Sequence, residues 1–174
     1  MKELSDEDLM LKVAKGNLDI LRILFERHHK HVFNFLYKMS GDKMLSEDVT
    51  QEVFYKLMKY RTSYNNGKFV SWLFTIARNS LSSHYSKEKG KFTSLDDVKY
   101  MLAEKEEERN EDYSHLQRAL NKLEASDREL LVLNRFQGVK YAELAEMTGS
   151  THGAVKTKVS RALKKLKTIY FENI

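Results

Sequence analysis

The sequence predicts an all-α fold of two small helical domains joined by a flexible acidic linker, with a helix-turn-helix in the C-terminal domain. Its 174 residues include no proline, and its seven glycines lie mostly between segments with helical apolar spacing. Because proline and glycine are unfavourable inside helices, this distribution favours long helices. Acidic residues crowd positions 96–112, which offer few apolar side chains for a core. We therefore expect domains at 1–92 and 113–174, with a linker at 93–112 that is either an extended tether or a flexible spacer with transient helix.

Composition narrows the class of protein further. The chain has no cysteine, which excludes disulfides and thiolate metal sites and fits a reducing, cytoplasmic compartment. No apolar run approaches the roughly 20 residues that span a bilayer, so no membrane insertion is expected. The net charge is +5, and basic residues concentrate at 78–91 and 156–167. Two basic segments separated by an acidic one suggest two contacts with a polyanion.

The first two predicted helices build a core. Ser5 is the predicted cap of the first helix, and the second extends over 18–39 and ends at Gly41. The second helix has an apolar stripe at helical spacing: Leu21, Leu24, Phe25, His28, Val32, Phe35, Leu36 and Met39. The histidines at 28, 29 and 31 splay their rings and have no converging acid or cysteine. No metal site and no cofactor are therefore expected.

The third predicted helix, at 46–60, has two distinct faces. Its apolar residues are Val49, Val53, Phe54, Leu57, Met58 and Tyr60. A second face carries Asp48, Gln51, Glu52 and Tyr55 at positions i, i+3, i+4 and i+7. This polar face is either ordinary solvated surface or a docking face for a partner helix, and the residues alone leave both open.

A loop at 61–68 and the helix after it combine aromatic, amide and basic groups. Asn65-Asn66-Gly67 is a strong turn signal, and Tyr64 and Trp72 flank it. Flat rings for stacking and cations for the backbone are what single-stranded nucleic acid binding requires. The alternative is that the aromatics belong to the core, as we expect for two of Phe69, Trp72 and Phe74.

The stretch 140–166 predicts a helix-turn-helix. A short helix at 140–147 is followed by Gly149, which suits the positive φ of a helix C-terminus, and by Thr151 as the next cap. The second helix has an apolar stripe of Val155, Val159, Ala162 and Leu166. Its other side is basic, so this helix fits a DNA major groove. The alternative is a solvated basic helix in a bundle.

The residues before this hairpin predict its supporting core. Ser126 and Glu129 have the spacing of a capping box at the start of a helix. The apolar residues around that start are Leu116, Leu120, Leu123, Leu130, Leu131, Leu133 and Phe136.

The segments DVTQEVFYKL, FVSWLFTIARN and GVKYAELAEMTGSTHGAVKTKVSRALKKL together resemble the bacterial sigma-70 family. More narrowly, the chain resembles its small extracytoplasmic-function group, which keeps only conserved regions two and four. The resemblance covers about 21–90 and 116–166. It implies a subunit that binds core RNA polymerase and directs it to promoter DNA, and it implies an anti-sigma factor as a further partner.

The resemblance also implies roles for individual residues. Polymerase binding, through the clamp helices of the largest subunit, falls to Asp48, Gln51, Glu52 and Tyr55. The flap of the second-largest subunit is a further contact. Recognition and opening of the −10 element fall to Tyr64, Asn65, Asn66, Lys68, Trp72, Arg78, Asn79 and Lys87. Recognition of the −35 element falls to His152, Lys156, Thr157, Ser160, Arg161, Lys164 and Lys165.

No catalysis is expected, because the sequence has no nucleophile–base pair, phosphate-cradling glycine loop or metal cluster. Two other functions remain as alternatives. A stand-alone helix-turn-helix regulator would bind duplex DNA specifically without polymerase. A protein-interaction bundle that sequesters a partner would show no salt-dependent DNA affinity.

Overall fold

The structure of the chain is a computed structural model that describes residues 4–89 and 111–172, with side chains at 4–86 and 115–172. Every regular element in these ranges is helical, as predicted. The N-terminal half contains α1 (Asp6–Ala14), α2 (Leu21–Ser40), α3 (Lys43–Lys59) and α4 (Phe69–Lys89), with 3-10 helices at Leu18–Ile20 and Arg61–Ser63. The C-terminal half contains α5 (Glu111–Asn121), α6 (Ala125–Leu131), a π-helical turn at Val132–Phe136, α7 (Tyr141–Thr148) and α8 (His152–Glu172).

The N-terminal half is built around α3, which packs against both α2 and α4. The apolar stripe of each helix supplies the core, and its largest fully buried side chains include Phe35, Phe69 and Leu73. Phe35 of α2 and Phe74 of α4 meet edge to face, with ring centroids 5.6 Å apart. A pair of aromatic rings in this arrangement adds about 0.5–1.5 kcal/mol to the gain from burial. Of Phe69, Trp72 and Phe74, two belong to the core, as predicted: Phe69 and Phe74 are buried.

Side-chain caps set the starts of α1 and α3, and a glycine ends α2. Ser5 caps α1 as predicted, and Gly41, with φ 69°, ends α2. The predicted start of α3 at Ser46 is wrong. The Asp42 carboxylate accepts a hydrogen bond from Leu45 N at 3.1 Å, so α3 begins at residue 43. Ser46 is buried inside the helix and donates its hydroxyl to the Asp42 carbonyl at 2.6 Å.

Three aromatic residues that the apolar pattern assigned to the core are exposed. Phe25 lies at the rim of the core, stacked on His29 with centroids 4.5 Å apart. Tyr60 follows the last residue of α3, so helical periodicity no longer sets its direction. Phe136 ends the π-helical turn, whose wider winding shifts the residues after α6 out of the expected register.

The C-terminal half packs α5, α6 and α7 against α8. The predicted capping box at Ser126 is wrong. Glu124 has the extended backbone of an N-cap, with φ −60° and ψ 147°, and α6 begins at the next residue. Ser126 therefore lies inside the first turn, where its side chain is exposed. The linker prediction for 93–112 lies outside the described residues, except for 111 and 112, which belong to α5.

The two halves touch through polar side chains that reach the end of α2. Gln117 of α5 donates its amide to the Lys38 carbonyl at 2.9 Å, and Arg128 of α6 donates to the Met39 carbonyl at 2.7 Å. The Lys38 ammonium lies 4.9 Å from the centroid of the Phe136 ring. Burial lowers the pKa of Lys38 from its ordinary value. The described interface thus combines directed hydrogen bonds with a cation over an aromatic face.

Candidate nucleic-acid and polymerase interfaces

The helix-turn-helix has the geometry that its sequence predicts. Thr148 and Gly149 close α7, and Gly149 adopts φ 66°, a conformation that favours glycine. The Thr151 hydroxyl accepts a hydrogen bond from Ala154 N at 3.1 Å and so caps α8. His152 does not point freely outward, since its ring packs edge-on against Tyr141 of α7 with centroids 5.6 Å apart. These contacts fix the angle at which α8 leaves the turn.

The predicted apolar stripe of α8 is buried in full, and every predicted −35 residue is exposed. At 100° per residue, Thr157 and Lys164 face most directly away from that stripe. Ser160 and Arg161 flank them at equal angles on opposite sides, and Lys156 lies further round, beyond Ser160. The Thr157 hydroxyl donates to the Gly153 carbonyl at 2.9 Å, so towards solvent it offers only acceptor capacity. The outward face therefore presents cations and two small hydroxyl groups to a groove.

The loop at 64–68 is held by its own tyrosine. Tyr64 is 6% exposed, and its hydroxyl donates a hydrogen bond to the Gly67 carbonyl. Its ring lies between Phe69 and Trp72, at centroid distances of 6.5 and 5.2 Å. Core neighbours cover the Tyr64 ring in the described structure, so the ring is not free to stack on a base, and the −10 role assigned to Tyr64 stays a prediction. Tyr64 instead holds the loop in its turn.

The ionisation of Tyr64 is consistent with that role. Burial, helped by the nearby carboxylates of Glu7, Asp6 and Asp8, raises the pKa of Tyr64 to about 12. The hydroxyl therefore stays protonated at neutral pH and keeps donating to the Gly67 carbonyl.

The groups that this turn presents to solvent are amides and a cation. Asn65, Asn66 and Lys68 are all exposed, and Asn66 has φ 65°, which a turn residue of its type tolerates. Two amides can each donate to and accept from a base edge. The loop thus offers hydrogen-bonding groups at its tip, while its aromatic residue lies inside.

A stripe of side chains continues from this loop along α4. Lys68, Trp72, Thr75 and Asn79 are spaced 4, 3 and 4 residues apart, and each is exposed or half-buried. Helical geometry places them on one side of α4 over about 16 Å. Thr75 was missed by the sequence analysis, although its spacing from Trp72 and Asn79 could have identified it. Trp72 is half-buried and exposes part of its ring on this stripe, whereas the ring of Tyr64 is buried.

Arg78 does not belong to this stripe. It faces the C-terminal half, where its Nε contacts Glu129 Oε1 and its Nη1 donates to the Met147 carbonyl at 3.4 Å. The Glu129 side chain is 14% exposed, and its burial raises the pKa of that carboxyl, while Arg78 acts to lower it. In this arrangement the Arg78 guanidinium is engaged by α6 and α7. The predicted role of Arg78 at the −10 element stays a prediction, and it would require the guanidinium to leave these contacts. Lys87 lies in α4, but its side chain is outside the described residues.

The polar face of α3 is exposed as its spacing predicts. Asp48 and Gln51 are exposed, and Tyr55 is 58% exposed. Met44, 69% exposed, lies on the same side one turn earlier and was missed because the helix was expected to start at Ser46. Met44 and Tyr55 lie at the two ends of this face and make it a mixed polar and apolar surface.

Glu52 differs from its neighbours on this face. Its carboxylate is 3.0 Å from Lys56 Nζ, which also donates to the Ser80 hydroxyl of α4 at 3.0 Å. Glu52 therefore takes part in a connection between α3 and α4. A change at Glu52 would disturb helix packing as well as any partner contact.

The histidines of α2 have ordinary surroundings. His28 lies 3.0 Å from the Asp6 carboxylate, and His31 is exposed. Within the described residues, no group of three metal-binding side chains converges. Among the described helices, none is both long and apolar enough to cross a membrane.

Comparison with known proteins identifies the family. Residues 24–91 match Sigma-70 region 2, and residues 114–166 match Sigma-70, region 4. The chain is 28% identical over 167 residues to the RNA polymerase sigma factor CarQ of Myxococcus xanthus, covering 94% of this chain and 96% of CarQ. It is also 28% identical over 169 residues to the ECF RNA polymerase sigma factor BldN of Streptomyces coelicolor, covering 91% of this chain and 63% of BldN.

A solved structure shares the fold. The sigma factor RpoE of Bartonella quintana, in complex with the anti-sigma factor NepR, superimposes with a TM-score of 0.71 at 24% identity. The match covers 85% of this chain and 94% of RpoE.

Two helical domains, one with an exposed polar helix and one with a basic helix-turn-helix, therefore define a sigma factor of the sigma-70 family. Within that family the chain belongs to the extracytoplasmic-function group, and the resemblance predicted from its motifs is confirmed. The family is not a family of enzymes.

Proposed function

We propose that this sigma factor docks on core RNA polymerase through α3, reads the −35 element with α8 and holds opened −10 bases at the 64–68 loop and the outer stripe of α4. The observation that carries the proposal is that one chain combines an exposed docking face with two separate surfaces suited to nucleic acid. A regulator that only binds duplex DNA would need α8 alone.

The proposed −35 contact rests on charge and direction. Six cations of α8 lie at Lys156, Lys158, Arg161, Lys164, Lys165 and Lys167, all of them exposed. Lys156 and Arg161 lie in the first half of α8, where a recognition helix meets base edges, and Lys158 between them lies closer to the buried stripe. Lys164 and Lys165, further along, suit phosphate contacts that bind without reading sequence.

The proposed −10 contact rests on the exposed groups at the loop tip. Taking a base out of the stack costs a few kcal/mol, so something must bind it once it is out. Asn65 and Asn66 can pair with a base edge, Trp72 offers stacking surface, and Lys68 offers a cation for the backbone.

The proposed polymerase contact rests on Met44, Asp48, Gln51 and Tyr55, which share one exposed side of α3. We assign this side to the clamp helices of the largest subunit. The flap of the second-largest subunit is assigned to the C-terminal half from the family resemblance.

We also propose that an anti-sigma factor holds this protein idle in the cytoplasm. The support is the fold shared with RpoE, whose structure was solved in complex with the anti-sigma factor NepR.

Reconstituted holoenzyme and a promoter library test the docking face. Asp48→Ala with Gln51→Ala should abolish holoenzyme assembly and specific initiation, while folding changes little, since exposed substitutions usually shift stability by under about 0.5 kcal/mol. The matched control is Asp19→Ala with Asn34→Ala, which removes one exposed carboxylate and one exposed amide elsewhere. Unchanged polymerase affinity in the test variant would contradict the docking assignment. Specific duplex binding and regulation without polymerase would favour the stand-alone regulator.

A second variant tests the −10 assignment. Asn65→Ala with Asn66→Ala should leave polymerase binding and −35 affinity intact but reduce open-complex formation and weaken preference at one −10 base. Permanganate or 2-aminopurine reports unpaired bases directly. Normal opening with unaltered base preference would show that the loop is only a connector.

A further inference from the structure

Helix α1 lies outside the matched region 2, which begins at residue 24, yet it contacts the helices on both sides of the 64–68 loop. It packs against the 3-10 helix at Arg61–Ser63 and against α4. Its first turn is acidic, with Asp6, Glu7 and Asp8 in succession. Acidic residues next to a surface meant for a polyanion oppose binding, so these three require an explanation other than DNA contact.

Glu7 makes a direct bond to the base of the loop. Its Oε2 accepts a hydrogen bond from Phe69 N at 3.3 Å, across 62 positions of sequence. Phe69 is the first residue of α4, and the first N–H groups of a helix have no carbonyl partner within the helix. A carboxylate there also interacts favourably with the positive end of the helix dipole. Glu7 thus acts as a cap that comes from another helix.

Asp6 holds this cap in place. Its Oδ1 accepts from Arg27 Nη1 at 3.1 Å and lies 3.0 Å from His28 Nε2, both on α2. Arg27 Nη1 also donates to the Leu4 carbonyl at 2.9 Å. The first turn of α1 is therefore tied to α2, which holds Glu7 in position.

The loop that Glu7 supports is short. Lys68 and Phe69 are adjacent, and Tyr64 ties the other side of the turn to the Gly67 carbonyl. Fixing Phe69 N therefore fixes one end of the segment that presents Asn65 and Asn66. Binding an extruded base is stronger when the groups that bind it do not have to be ordered first.

We propose that Glu7 is a positioning residue for −10 recognition: it bonds to Phe69 N and holds the 64–68 loop in the conformation that receives extruded bases. This inference rests on the proposed role of that loop, and Glu7 itself touches no base.

Three substitutions separate the hydrogen bond from the charge. Glu7→Gln keeps an acceptor of the same reach and removes the charge, so it should retain most of the single-strand affinity and lose only the interaction with the helix dipole. Glu7→Asp keeps the charge but is one methylene shorter, so it should lose the bond, as Glu7→Ala does. Asp8→Ala is the matched control, since it removes a neighbouring exposed carboxylate that makes no bond to the loop in the described structure.

The measurement is the affinity of reconstituted holoenzyme for a single-stranded −10 oligonucleotide, beside its affinity for a duplex that carries only the −35 element. Glu7→Asp and Glu7→Ala should lower the single-strand affinity by about two- to tenfold, the range expected for one lost hydrogen bond. Duplex affinity and polymerase binding should not change. A role in stability alone would lower the melting temperature without changing the ratio of the two affinities.

Asn65→Ala with Asn66→Ala, measured in the same assay, distinguishes failure of the proposed role of Glu7 from failure of the proposed −10 role of the loop. If this variant and Glu7→Asp both bind single strands normally, the −10 role of the loop is wrong. If the Asn variant is impaired and Glu7→Asp is normal, only the role of Glu7 is overturned. Impairment of Glu7→Gln to the same degree as Glu7→Ala would also overturn it, because the charge and not the bond would then matter.

Discussion

The two candidate DNA-contacting regions are built in opposite ways. In the helix-turn-helix, the bonds that shape the turn join near neighbours: Ala154 N to the Thr151 hydroxyl at 3.1 Å, and Ser150 N to the Ala145 carbonyl at 2.8 Å. At the 64–68 loop, the bond that fixes its C-terminal end comes from Glu7, 62 positions away. The first region is shaped by its own sequence, and the second depends on a separate helix.

The two regions also differ in what surrounds them. The outward face of α8 is exposed along its whole described length. On α4, the arginine assigned to DNA is engaged instead by Glu129 and Met147 of the C-terminal half. Substitutions in the hairpin should therefore act locally, whereas those around α4 should also change how the two halves fit together.

The largest expected effect is on sequence discrimination by the hairpin. Arg161→Ala should relax preference at one −35 position by about 1–3 kcal/mol, because an arginine can pair with a guanine edge through two hydrogen bonds. Lys165→Ala should weaken binding to all sequences alike and reduce the salt dependence. Affinity titrations on a set of single-base −35 variants measure both. The opposite pattern would mean that Lys165 and not Arg161 faces the bases.

The next effect tests whether the turn is set by local backbone. Gly149→Ala places a side chain at φ 66° and should destabilise the C-terminal half by about 1–2 kcal/mol, even though a Cβ would meet nothing within 4 Å. Gly153→Ala, inside α8, should stabilise it by about 0.5–1 kcal/mol, because alanine loses less entropy in a helix. Urea denaturation gives both values. Equal effects at the two positions would contradict a backbone origin.

A smaller effect should appear at the loop. Tyr64→Phe removes the hydroxyl that donates to Gly67 and should cost about 0.5–1.5 kcal/mol. Its influence on open-complex formation should exceed its influence on −35 affinity, since the hydroxyl acts on the loop. Thermal unfolding and 2-aminopurine fluorescence separate the two. Tyr141→Phe on α7 is the control and should leave promoter opening unchanged.

The smallest effect is a pH dependence at the contact between the halves. Burial raises the pKa of Glu129 above its ordinary 4.5, so the folded protein holds that proton more tightly than the unfolded chain does. The resulting stability is complete below pH 4.5 and is lost as pH rises through the folded pKa. Glu129→Gln should therefore raise the melting temperature at pH 7, and the gain should vanish below pH 4.5.

Glu146→Gln, at an exposed acid of α7, serves as the control for that experiment and should show no such gain. A lower melting temperature for Glu129→Gln at pH 7 would mean that the contact with Arg78 outweighs the cost of burying the charge.

These contrasts explain which features could be predicted from sequence. The buried stripe of α8 and the caps at Gly149 and Thr151 follow from residues three or four positions apart, and all were predicted correctly. The packing of Tyr64 and the ion pair of Arg78 were not predicted, because their partners lie on other helices. Helical spacing gives the direction of a side chain from its own helix but not what the rest of the chain brings against it.

Helix starts show the same limit on a smaller scale. Serine is a common helix cap, so the helix starts were predicted at Ser46 and Ser126. Asp42 and Glu124 lie earlier in the chain and adopt the extended backbone of an N-cap, so each helix begins at the residue after them. The roles proposed for the individual binding residues stay predictions, because chemistry with a partner depends on surfaces outside this chain.

The long-range bond of Glu7 also has a consequence for biosynthesis. A ribosome adds about 5–20 residues per second, so the partner amide at Phe69 is made roughly 3–12 seconds after Glu7. During that interval the acidic turn of α1 can fold onto α2, whose residues Arg27 and His28 are made sooner, but it has no helix end to cap. The hairpin needs no such delay, since its capping partners are made within a few residues of each other. In a nascent chain the acidic turn of α1 should therefore form first and wait for the 64–68 loop, whereas both partners of the hairpin turn are made almost together.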